Sequence, residues 1–284
     1  MPAPDPDRLP RPAELVRRHG LAARKALGQH FLYDEAILRR IARAAAPFAG
    51  LRVVEIGPGP GGLTRALLLE GAEAVVAVER DARMVAALRE LEAAAGGRLR
   101  VTAADARRLD PAALAGDRPV LLVGNLPFHI ATELLLGWLH RLDAVARMVL
   151  MFQKEVAARL VAPPGTAARG RLSVLAQRLC TVERLFDLPP GAFRPPPKVA
   201  ASVVRLVPRG DRPPPPHLAA LERLTRAAFG RRRKTLRRSL AGLGVPSARL
   251  LAAAGIDPGR RAEELDLDEW DRLVAALRTA ASPS

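Results

Sequence analysis

The stretch Val120-Leu-Leu-Val-Gly-Asn-Leu-Pro-Phe128 decides the fold, because it joins an apolar run to an abrupt break. The run is typical of a buried parallel strand, and Pro127 ends it because proline cannot donate to a neighbouring strand. Asn125, free carbonyls and the Phe128 ring then meet at the strand's carboxyl end, where open α/β sheets bind ligands. An amide oxygen and a carbonyl can accept from one amino group while a ring stacks on its base. The stretch therefore predicts a site for the exocyclic amine of a nucleobase.

A glycine-rich turn lies upstream, in Val53-Val-Glu-Ile-Gly-Pro-Gly-Pro-Gly-Gly-Leu-Thr64. A short β-branched run enters the turn and an apolar helical pattern leaves it, so we expect a strand, a loop and a helix. Glycines let the backbone turn tightly and approach a ligand closely. Dinucleotide-binding enzymes use such turns too, but Pro58 and Pro60 remove amides that a pyrophosphate would need. The turn on its own therefore disfavours phosphate binding.

Acidic residues follow the next two predicted strands. The run Ala74–Val78 leads to Glu79, about 20 residues beyond the glycines, where a carboxylate can accept from ribose hydroxyls. The segment Leu99–Ala104 leads to Asp105. Either carboxylate alone is more typical of a helix N-cap or a solvated loop. Four successive strands, however, bring the glycine turn, Glu79, Asp105 and Asn125 to one edge of the sheet, and this combination predicts a ligand site.

The motifs together resemble those of the S-adenosylmethionine-dependent ribosomal RNA adenine N6,N6-dimethyltransferases. The resemblance runs in order from about residue 24 to residue 240, and it is specific as a set. The motifs that carry it are Lys25-Ala-Leu-Gly-Gln-His-Phe-Leu32, Glu55-Ile-Gly-Pro-Gly-Pro-Gly-Gly-Leu-Thr64, Glu79, Asp105, Asn125-Leu-Pro-Phe128, Gln153-Lys-Glu-Val156, Gly170-Arg-Leu-Ser-Val174, Phe193-Arg-Pro-Pro-Pro-Lys-Val199 with Ser202, and Gly230-Arg-Arg-Arg-Lys-Thr-Leu-Arg-Arg-Ser-Leu240. The resemblance implies an α/β fold, with a Rossmann-like, seven-stranded class I methyltransferase domain and a small all-helical C-terminal domain. The first and last motifs resemble the branch that acts on small-subunit rRNA.

The resemblance implies that the cofactor is S-adenosyl-L-methionine, and it implies which residues hold it. His30 and Leu32 would flank the cofactor, Gly57 and Gly59 would pass under its methionine portion, Glu79 would hold its ribose, Asp105 would accept from its adenine amino group, and Asn125 would lie between cofactor and substrate. The family usually has Asn at the position of His30 and often Tyr at that of Phe128. Histidine can still donate a hydrogen bond and phenylalanine keeps a stacking face, so we expect both roles to survive. No metal is expected.

We expect Asn125-Leu-Pro-Phe128 to catalyse the reaction without a strong base. If the Asn125 side-chain oxygen and the Leu126 carbonyl accept the two protons of adenine N6, the nitrogen can become tetrahedral as it attacks. Fixed dipoles then stabilise the positive charge that develops on nitrogen, and in-line placement against the sulfonium methyl supplies the orientation. Pro127 ends the strand at the site, and the Phe128 ring stacks on the base. Transfer of a second methyl group is implied by the resemblance.

The loop Phe193-Arg-Pro-Pro-Pro-Lys198 leaves two interpretations open. A proline run stiffens a loop into an extended form, and Phe193 stands at its head. The sequence alone is as consistent with a rigid surface connection whose phenylalanine is buried in the core. The resemblance favours Phe193 closing over the target adenine opposite Phe128, as in enzymes that hold an extruded base between apolar faces, and places Lys198 toward the RNA.

The charge of the chain indicates a polyanionic partner. Its 284 residues carry a net charge of +16. The run Arg231-Arg-Arg-Lys-Thr-Leu-Arg-Arg238 places six cations within eight residues. Such a run is usually a solvated helix face, but beside a nucleobase site we expect Arg231, Arg232, Arg233 and Lys234 to contact RNA phosphates. Only four lysines occur in the chain, so the sign of the charge supports this prediction and the choice of arginine does not.

Three segments are predicted along the chain. Residues 1–23 form a flexible lead-in with a short basic helix at Glu14–His19, residues 24–208 form the methyltransferase domain, and residues 209–284 form a helical, basic domain for rRNA or subunit contact. A single cysteine fits a reducing compartment. The start lacks a signal pattern, and no apolar stretch reaches membrane-spanning length. We therefore expect a cytoplasmic monomer that does not bind membranes.

The function that the resemblance implies is methyl transfer to N6 of two adjacent adenosines near the 3′ end of 16S rRNA, in the small ribosomal subunit or its precursor. Two alternatives stay open. A large-subunit rRNA adenine methyltransferase of the resistance type would use the same chemistry. A non-catalytic ribosome-assembly or RNA-binding factor would keep the fold, although it would not need Glu79, Asp105 and Asn125. An NAD-linked dehydrogenase is disfavoured, because no proton-transfer residue can be placed.

Overall fold

A computed structural model describes residues 8–24 and 27–281 of the chain. Residues 1–7 of the predicted lead-in, Lys25 and Ala26 of the first motif, and residues 282–284 lie outside this described part. The helices are α1 (Pro12–Arg18), α2 (Glu35–Ala45), α3 (Gly62–Leu69), α4 (Ala82–Ala94), α5 (Pro111–Ala115), α6 (Ala131–Leu139), α7 (Lys154–Leu160), α8 (Arg171–Leu179), α9 (Pro215–Gly230), α10 (Leu236–Ser239), α11 (Ser247–Ala253) and α12 (Leu267–Ala281). The strands are β1 (Phe31–Leu32), β2 (Arg52–Ile56), β3 (Val75–Glu79), β4 (Leu99–Ala103), β5 (Val120–Asn125), β6 (Val145–Gln153), β7 (Cys180–Leu188), β8 (Phe193–Arg194) and β9 (Ala201–Pro208).

Seven strands of the described chain form one sheet, in the order β4-β3-β2-β5-β6-β9-β7. The pairs from β4 to β6 are parallel, and β9 is antiparallel to β6. This arrangement confirms the seven-stranded α/β fold that the resemblance implied. The chain builds outward from β2 through β3 to β4 and then returns to β5 on the other side of β2. The carboxyl ends of β2 and β5 therefore flank a topological switch point, which is where such sheets bind ligands.

The central strand β5 consists largely of apolar residues and is buried. Val120 through Val123 are fully buried, as expected for a strand whose two faces are both covered by helices. Gly124 allows β5 to lie close to β2, since a Cβ atom at this position would lie 2.7 Å from the Ile56 carbonyl oxygen. Glycine therefore fixes the spacing of the two strands immediately before Asn125.

The described residues of the predicted lead-in pack on the hydrophobic core. Leu9, Leu15 and Leu21 are 2%, 0% and 8% exposed and belong to the hydrophobic core. The guanidinium of Arg65 also donates to the Leu9 carbonyl over 3.2 Å. These leucines bury apolar surface, which stabilises the position of the segment on the core.

The contacts divide the chain into two compact units. The first unit runs to Ala157 and adds Glu183–Val207, and the second comprises Ala158–Val182 and the residues from Pro208 onward. Helices α8 to α12 make up most of the second unit, and the stacked rings of Phe229 and Trp270 lie 5.8 Å apart within it. The helical C-terminal part is thus observed, and Ala158–Val182 clusters with it. The boundary between the methyltransferase domain and the RNA-contacting domain, placed between residues 208 and 209, stays a prediction.

The cationic run is not one continuous helix. Arg231–Lys234 form a turn after α9, and helical structure resumes only over the four residues of α10. No helix in the described ranges is both long and apolar enough to cross a membrane.

Candidate active site

One large cavity opens in the first unit at the carboxyl ends of β2, β3, β4 and β5. It encloses about 1090 Å³, a volume that includes space open to solvent. Residues 27–32 complete its wall. The predicted cofactor and catalytic residues that line the cavity are His30, Leu32, Gly57, Gly59, Glu79, Asp105, Asn125, Leu126, Pro127 and Phe128. The structure therefore brings together residues that are spread over about 100 positions of the sequence.

The glycine turn between β2 and α3 leaves its backbone open to the cavity. Gly57, Gly59 and Gly61 have φ angles of +67°, +54° and +83°, which side chains other than glycine rarely adopt. A Cβ atom at Gly59 would lie 2.9 Å from the Phe31 ring, whereas one at Gly57 would meet nothing within 4 Å. The backbone at Gly57 is therefore exposed directly to any ligand in the cavity.

Glu79, at the end of β3, is a fixed and buried acceptor. Its side chain accepts from the backbone N–H of Gly59 over 3.2 Å, and from those of Arg80 and Asp81 over 2.8 Å each. Burial raises the pKa of this carboxyl, and the three amides oppose that shift. The amides hold the carboxylate in one orientation at the cavity wall. A carboxylate has acceptor sites beyond these bonds, so it can also receive ligand hydroxyls.

Asp105 follows β4 and is paired with a residue that the sequence interpretation did not include. The Arg107 guanidinium donates to both carboxylate oxygens, with distances of 3.1 Å from Nε and 2.5 Å from Nη2. This pairing lowers the pKa of Asp105 to about 2. Asp105 is therefore ionised and purely an acceptor at neutral pH. An amino group can donate to it, whereas a carbonyl group would be repelled.

Asn125 is oriented by the N-terminal segment of the same unit. Its side-chain nitrogen Nδ2 donates a 2.9 Å hydrogen bond to the backbone carbonyl of His30. A primary amide carries its donors on nitrogen and its acceptor on oxygen. The bond therefore commits the nitrogen end to the protein, and the oxygen Oδ1 is the end that a ligand can use. Leu126 lines the same cavity.

The His30 ring organises the side of the cavity next to Asn125. Its Nδ1 lies 2.8 Å from the Pro195 carbonyl, so it carries the proton and donates, because a carbonyl only accepts. The ring also stacks on Phe128, with centroids 6.0 Å apart and planes 27° from parallel. His30 thus contacts the strand-end motif through its backbone and its ring, and contacts the proline loop through Nδ1.

Comparison with known proteins identifies the family. The sequence model described as ribosomal RNA adenine dimethylase matches residues 20–279. The chain belongs to the ribosomal RNA adenine dimethylase family. Members of this family methylate adenine with S-adenosylmethionine, and the chain is such an rRNA adenine dimethyltransferase.

Curated relatives and solved structures agree with this membership. The chain is 53% identical over 282 residues to the ribosomal RNA small subunit methyltransferase A of Xanthobacter autotrophicus, covering 97% of each chain. It is 56% identical over 274 residues to the protein of that name from Rhodopseudomonas palustris, covering 95% of each. A dimethyladenosine transferase structure from Plasmodium falciparum matches with a TM-score of 0.75 and 25% identity, covering 88% of this chain and 98% of that one. The structure of the 23S rRNA methyltransferase ErmE matches with a TM-score of 0.67 and 27% identity, covering 87% of this chain and 99% of that one.

The cavity of this dimethyltransferase fits S-adenosylmethionine. The open backbone at Gly57 suits close approach of the methionine portion, and the buried acceptor Glu79 suits a ribose diol. The ionised, acceptor-only Asp105 suits the adenine amino group. When bound there, the cofactor supplies the electrophilic methyl group. We keep these residue assignments as predictions that the fit supports.

The prediction for Phe193 needs correction, because the dimethyltransferase buries this ring. Phe193 is 0% exposed, lies in the hydrophobic core of the first unit, and pairs with Leu32 between β8 and β1. It is therefore not available to stack on a base in this structure, and the alternative of a core residue below a rigid loop is the one observed. Lys198 of the same loop is exposed and lies outside the cavity wall.

Sequence interpretation missed several residues at this cavity. Glu55, Gln29, Arg80 and His129 line it, and Arg107 acts on it through Asp105. Glu55 and Gln29 stood in quoted motifs without an assigned role, so their positions there were a usable signal. Arg80, His129 and Arg107 follow recognised motif residues by one or two positions. For these three, adjacency to a strand-end residue was the available clue, but it does not indicate which way a side chain points.

Proposed function

We propose that this dimethyltransferase acts on N6 of two adjacent adenosines near the 3′ end of 16S rRNA, in the small ribosomal subunit or its precursor. Relatives that are 53% and 56% identical along nearly their whole length bear the name small subunit methyltransferase A. The solved 23S rRNA enzyme is only 27% identical. The observation that carries the chemistry is the Asn125 amide, whose nitrogen bonds the His30 carbonyl and whose oxygen remains for a substrate amine.

Our proposed mechanism uses acceptors and no base. The Asn125 oxygen and the Leu126 carbonyl accept hydrogen bonds from the adenine amino group. These bonds align the nitrogen and let it become tetrahedral, so that its lone pair is available for attack. As positive charge grows on nitrogen, these fixed dipoles stabilise it without reorganising. Phe128 holds the base plane by stacking. Cys180 plays no nucleophilic part, because it is buried and burial raises the pKa of its thiol to about 12.

We also propose that the exposed cations of the second unit contact rRNA. Arg231, Arg232, Arg233 and Lys234 are all exposed in the turn after α9. Arg232 differs, since its guanidinium donates to the backbone carbonyls of Ala167 and, over 2.9 Å, Arg169. Neighbours in the sequence therefore have different roles, with Arg232 holding the loop before α8. We further propose that the protein acts as a cytoplasmic monomer, with residues 24–208 catalysing and residues 209–284 contacting the subunit.

Replacing Arg231 and Arg233 together with Ala should flatten the salt dependence of rRNA binding. Each phosphate contact adds about 0.7–0.9 to the slope of log K against log salt, so losing both should lower the slope by about 1.4–1.8. Filter binding of small subunits between low and moderate salt measures this. Arg232→Ala is the matched comparison, and we expect it to lower the melting temperature with a smaller change in slope. An unchanged slope in the double variant would contradict RNA contact by this turn.

Labelled methyl transfer to undermethylated small subunits tests the proposed substrate. Large-subunit rRNA and subunits already dimethylated serve as parallel substrates. Label in two adjacent small-subunit adenines, with N6,N6-dimethyladenosine as the product, is the expected result. Label confined to large-subunit rRNA would place the protein in the resistance branch. Intact subunit binding without any label would support a non-catalytic assembly factor.

A further inference from the structure

Two of the sequence motifs have no role in the mechanism, and the fold brings them together. They are Gln153-Lys-Glu-Val156 and Ser202. Strand β6 ends at Gln153, beside the start of its antiparallel neighbour β9. The Lys154 N–H extends this pair with a 2.9 Å bond to the Ala200 carbonyl. Because β6 is parallel to β5, Lys154 stands at the same edge of the sheet as the cofactor cavity.

The register of the sheet places Lys154 near the proposed base site. Asn125 lies opposite Met151 in the parallel pair of β5 and β6, so Lys154 follows the partner of Asn125 by three residues. Neighbouring strands lie about 5 Å apart and rise about 3.3 Å per residue, which puts the Cα atoms of Asn125 and Lys154 roughly 10 Å apart. A nucleic-acid strand with one base at Asn125 therefore passes close to Lys154.

The carboxylate of Asp187, near the end of β7, gathers the polar side chains at this edge. Its Oδ1 accepts a 2.7 Å hydrogen bond from the Ser202 hydroxyl, and its Oδ2 lies 3.1 Å from the Lys154 ammonium and 2.9 Å from the Arg184 guanidinium. The bond from Ser202 and the neighbouring cations lower the pKa of Asp187. Two cations on one carboxylate leave one positive charge in excess.

This cluster is more ordered than a surface ion pair needs to be. The side chain of Lys154 is 54% exposed and that of Asp187 is 30% exposed. Exposed ion pairs add little to stability, and holding a lysine in one rotamer costs entropy. Ser202 is nevertheless 0% exposed, so its hydroxyl fixes the carboxylate from inside the protein. An arrangement that gives direction to an ammonium without much stability is suited to positioning that ammonium for a ligand.

The place of the ammonium indicates which ligand it suits. Among the described residues, Lys154 is not part of the cofactor cavity wall. Its partner Asp187 belongs to β7, which lies on the far side of β6 from Asn125. Enzymes that take a base out of its stack enclose the base and leave the adjoining backbone outside the pocket. A lysine ammonium has three donors, so it can bond Asp187 and a phosphate at the same time.

We propose that Lys154, held by Asp187 and Ser202, binds a backbone phosphate of the rRNA strand that flanks the target adenosine. This contact holds the strand over the sheet edge while the adenine enters at Asn125. Asp187 is a positioning residue, because it acts on the RNA through Lys154. The inference rests on the proposed placement of the base at Asn125, and it gives the first unit an RNA contact separate from the cationic turn.

Lys154→Met removes the ammonium and keeps the apolar stem. With whichever rRNA accepts methyl groups as the substrate, we expect KM to rise about tenfold and kcat to change by less than about threefold, as for the loss of one charge-assisted contact made on binding. The slope of log(kcat/KM) against log salt should become less steep by about 0.7–0.9. Calorimetry should show an unchanged cofactor affinity.

Arg118→Met is the matched control for Lys154→Met. Arg118 is an exposed cation of the same unit, paired with Glu73 over 3.3 Å. It precedes β5 and therefore lies at the opposite, amino-terminal edge of the sheet. We expect the KM for rRNA, the salt slope and the cofactor affinity of this variant to equal those of the unmodified protein.

Further variants separate the position of the ammonium from its charge. Lys154→Arg keeps the charge, so the salt slope should stay and KM should rise by less than about threefold. Asp187→Asn keeps both cations but loses the fixed partner of Lys154, and we expect KM to rise. Electrostatics alone would predict the opposite, because this change removes a negative charge beside RNA. Combining Asp187→Asn with Lys154→Met should cost no more than Lys154→Met alone, since one residue acts through the other.

Several outcomes would overturn the proposal. An unchanged KM and salt slope in Lys154→Met would do so, as would an equal loss in Arg118→Met or a parallel loss of cofactor affinity. A lower KM in Asp187→Asn would show that Asp187 does not position Lys154. Asn125→Ala tests the base placement separately, because it should lower kcat and leave the salt slope unchanged. The two proposals can therefore fail independently.

Discussion

Asn125→Ala is expected to lower kcat for methyl transfer by about 10²–10³-fold, the usual loss when one preorganised dipole is removed from a developing charge. The side chain has two functions that alanine cannot replace. Its nitrogen bonds the His30 carbonyl, and its oxygen is the proposed acceptor for adenine N6. Cofactor affinity should weaken by no more than about tenfold, which corresponds to one neutral hydrogen bond.

Single-turnover transfer from saturating cofactor measures this loss, and calorimetry measures the cofactor affinity separately. Asn125→Asp is the informative companion, because it keeps an acceptor toward the substrate but places an oxygen against the His30 carbonyl. We expect it to be impaired as well, since two acceptors facing each other repel and displace the side chain. An alanine variant that kept more than a tenth of the unmodified rate would remove Asn125 from the mechanism.

Phe193→Ala is expected to destabilise the protein by about 3–5 kcal/mol, the cost of truncating a buried phenylalanine. The ring is fully buried in the core and lies beside Leu32 at the β1–β8 pair. Losses in cofactor binding and in rRNA turnover should therefore appear together, through unfolding. Phe193→Leu, which nearly conserves volume, should cost less than about 1.5 kcal/mol and keep activity.

Phe128→Ala is the matched aromatic comparison for Phe193. Phe128 lines the cavity and stacks on His30, so its loss should weaken rRNA turnover by the roughly 1–3 kcal/mol of one stacked base. Its melting temperature should stay near that of the unmodified protein. Thermal melts and rRNA kinetics of the two variants distinguish these cases. A Phe193→Ala protein with normal stability and a selective defect on rRNA would restore the stacking role that the sequence suggested.

The strand-end residues were predictable from the sequence because parallel strands align their carboxyl ends. Once β2 to β5 were recognised, Gly57, Glu79, Asp105 and Asn125 had to meet at one edge. The Phe193 side chain had no such constraint. A phenylalanine at the start of a proline loop satisfies either a core or a base-stacking role, and only packing against β1 decides between them.

The hydrogen-bond partners of individual side chains were not predictable, whether distant or close in the sequence. Nothing local indicates that the Asn125 amide bonds a carbonyl 95 residues away, or that Arg107 instead of Arg108 pairs with Asp105. The cationic turn shows the same limit. Arg232 and Arg233 are neighbouring arginines that the sequence does not distinguish. In the structure, Arg232 donates to two backbone carbonyls.

The bond from the Asn125 side chain to the His30 carbonyl also provides a spectroscopic reporter. Asn125 is the only asparagine among the 284 residues. Labelling with ¹⁵N-asparagine alone therefore gives a single side-chain NH₂ pair in a proton–nitrogen correlation spectrum, without any assignment step. One of its two protons lies in the 2.9 Å bond to His30 and the other does not, so their separation records that bond. The active site thus carries one isolated resonance pair with which to follow cofactor and rRNA entering the cavity.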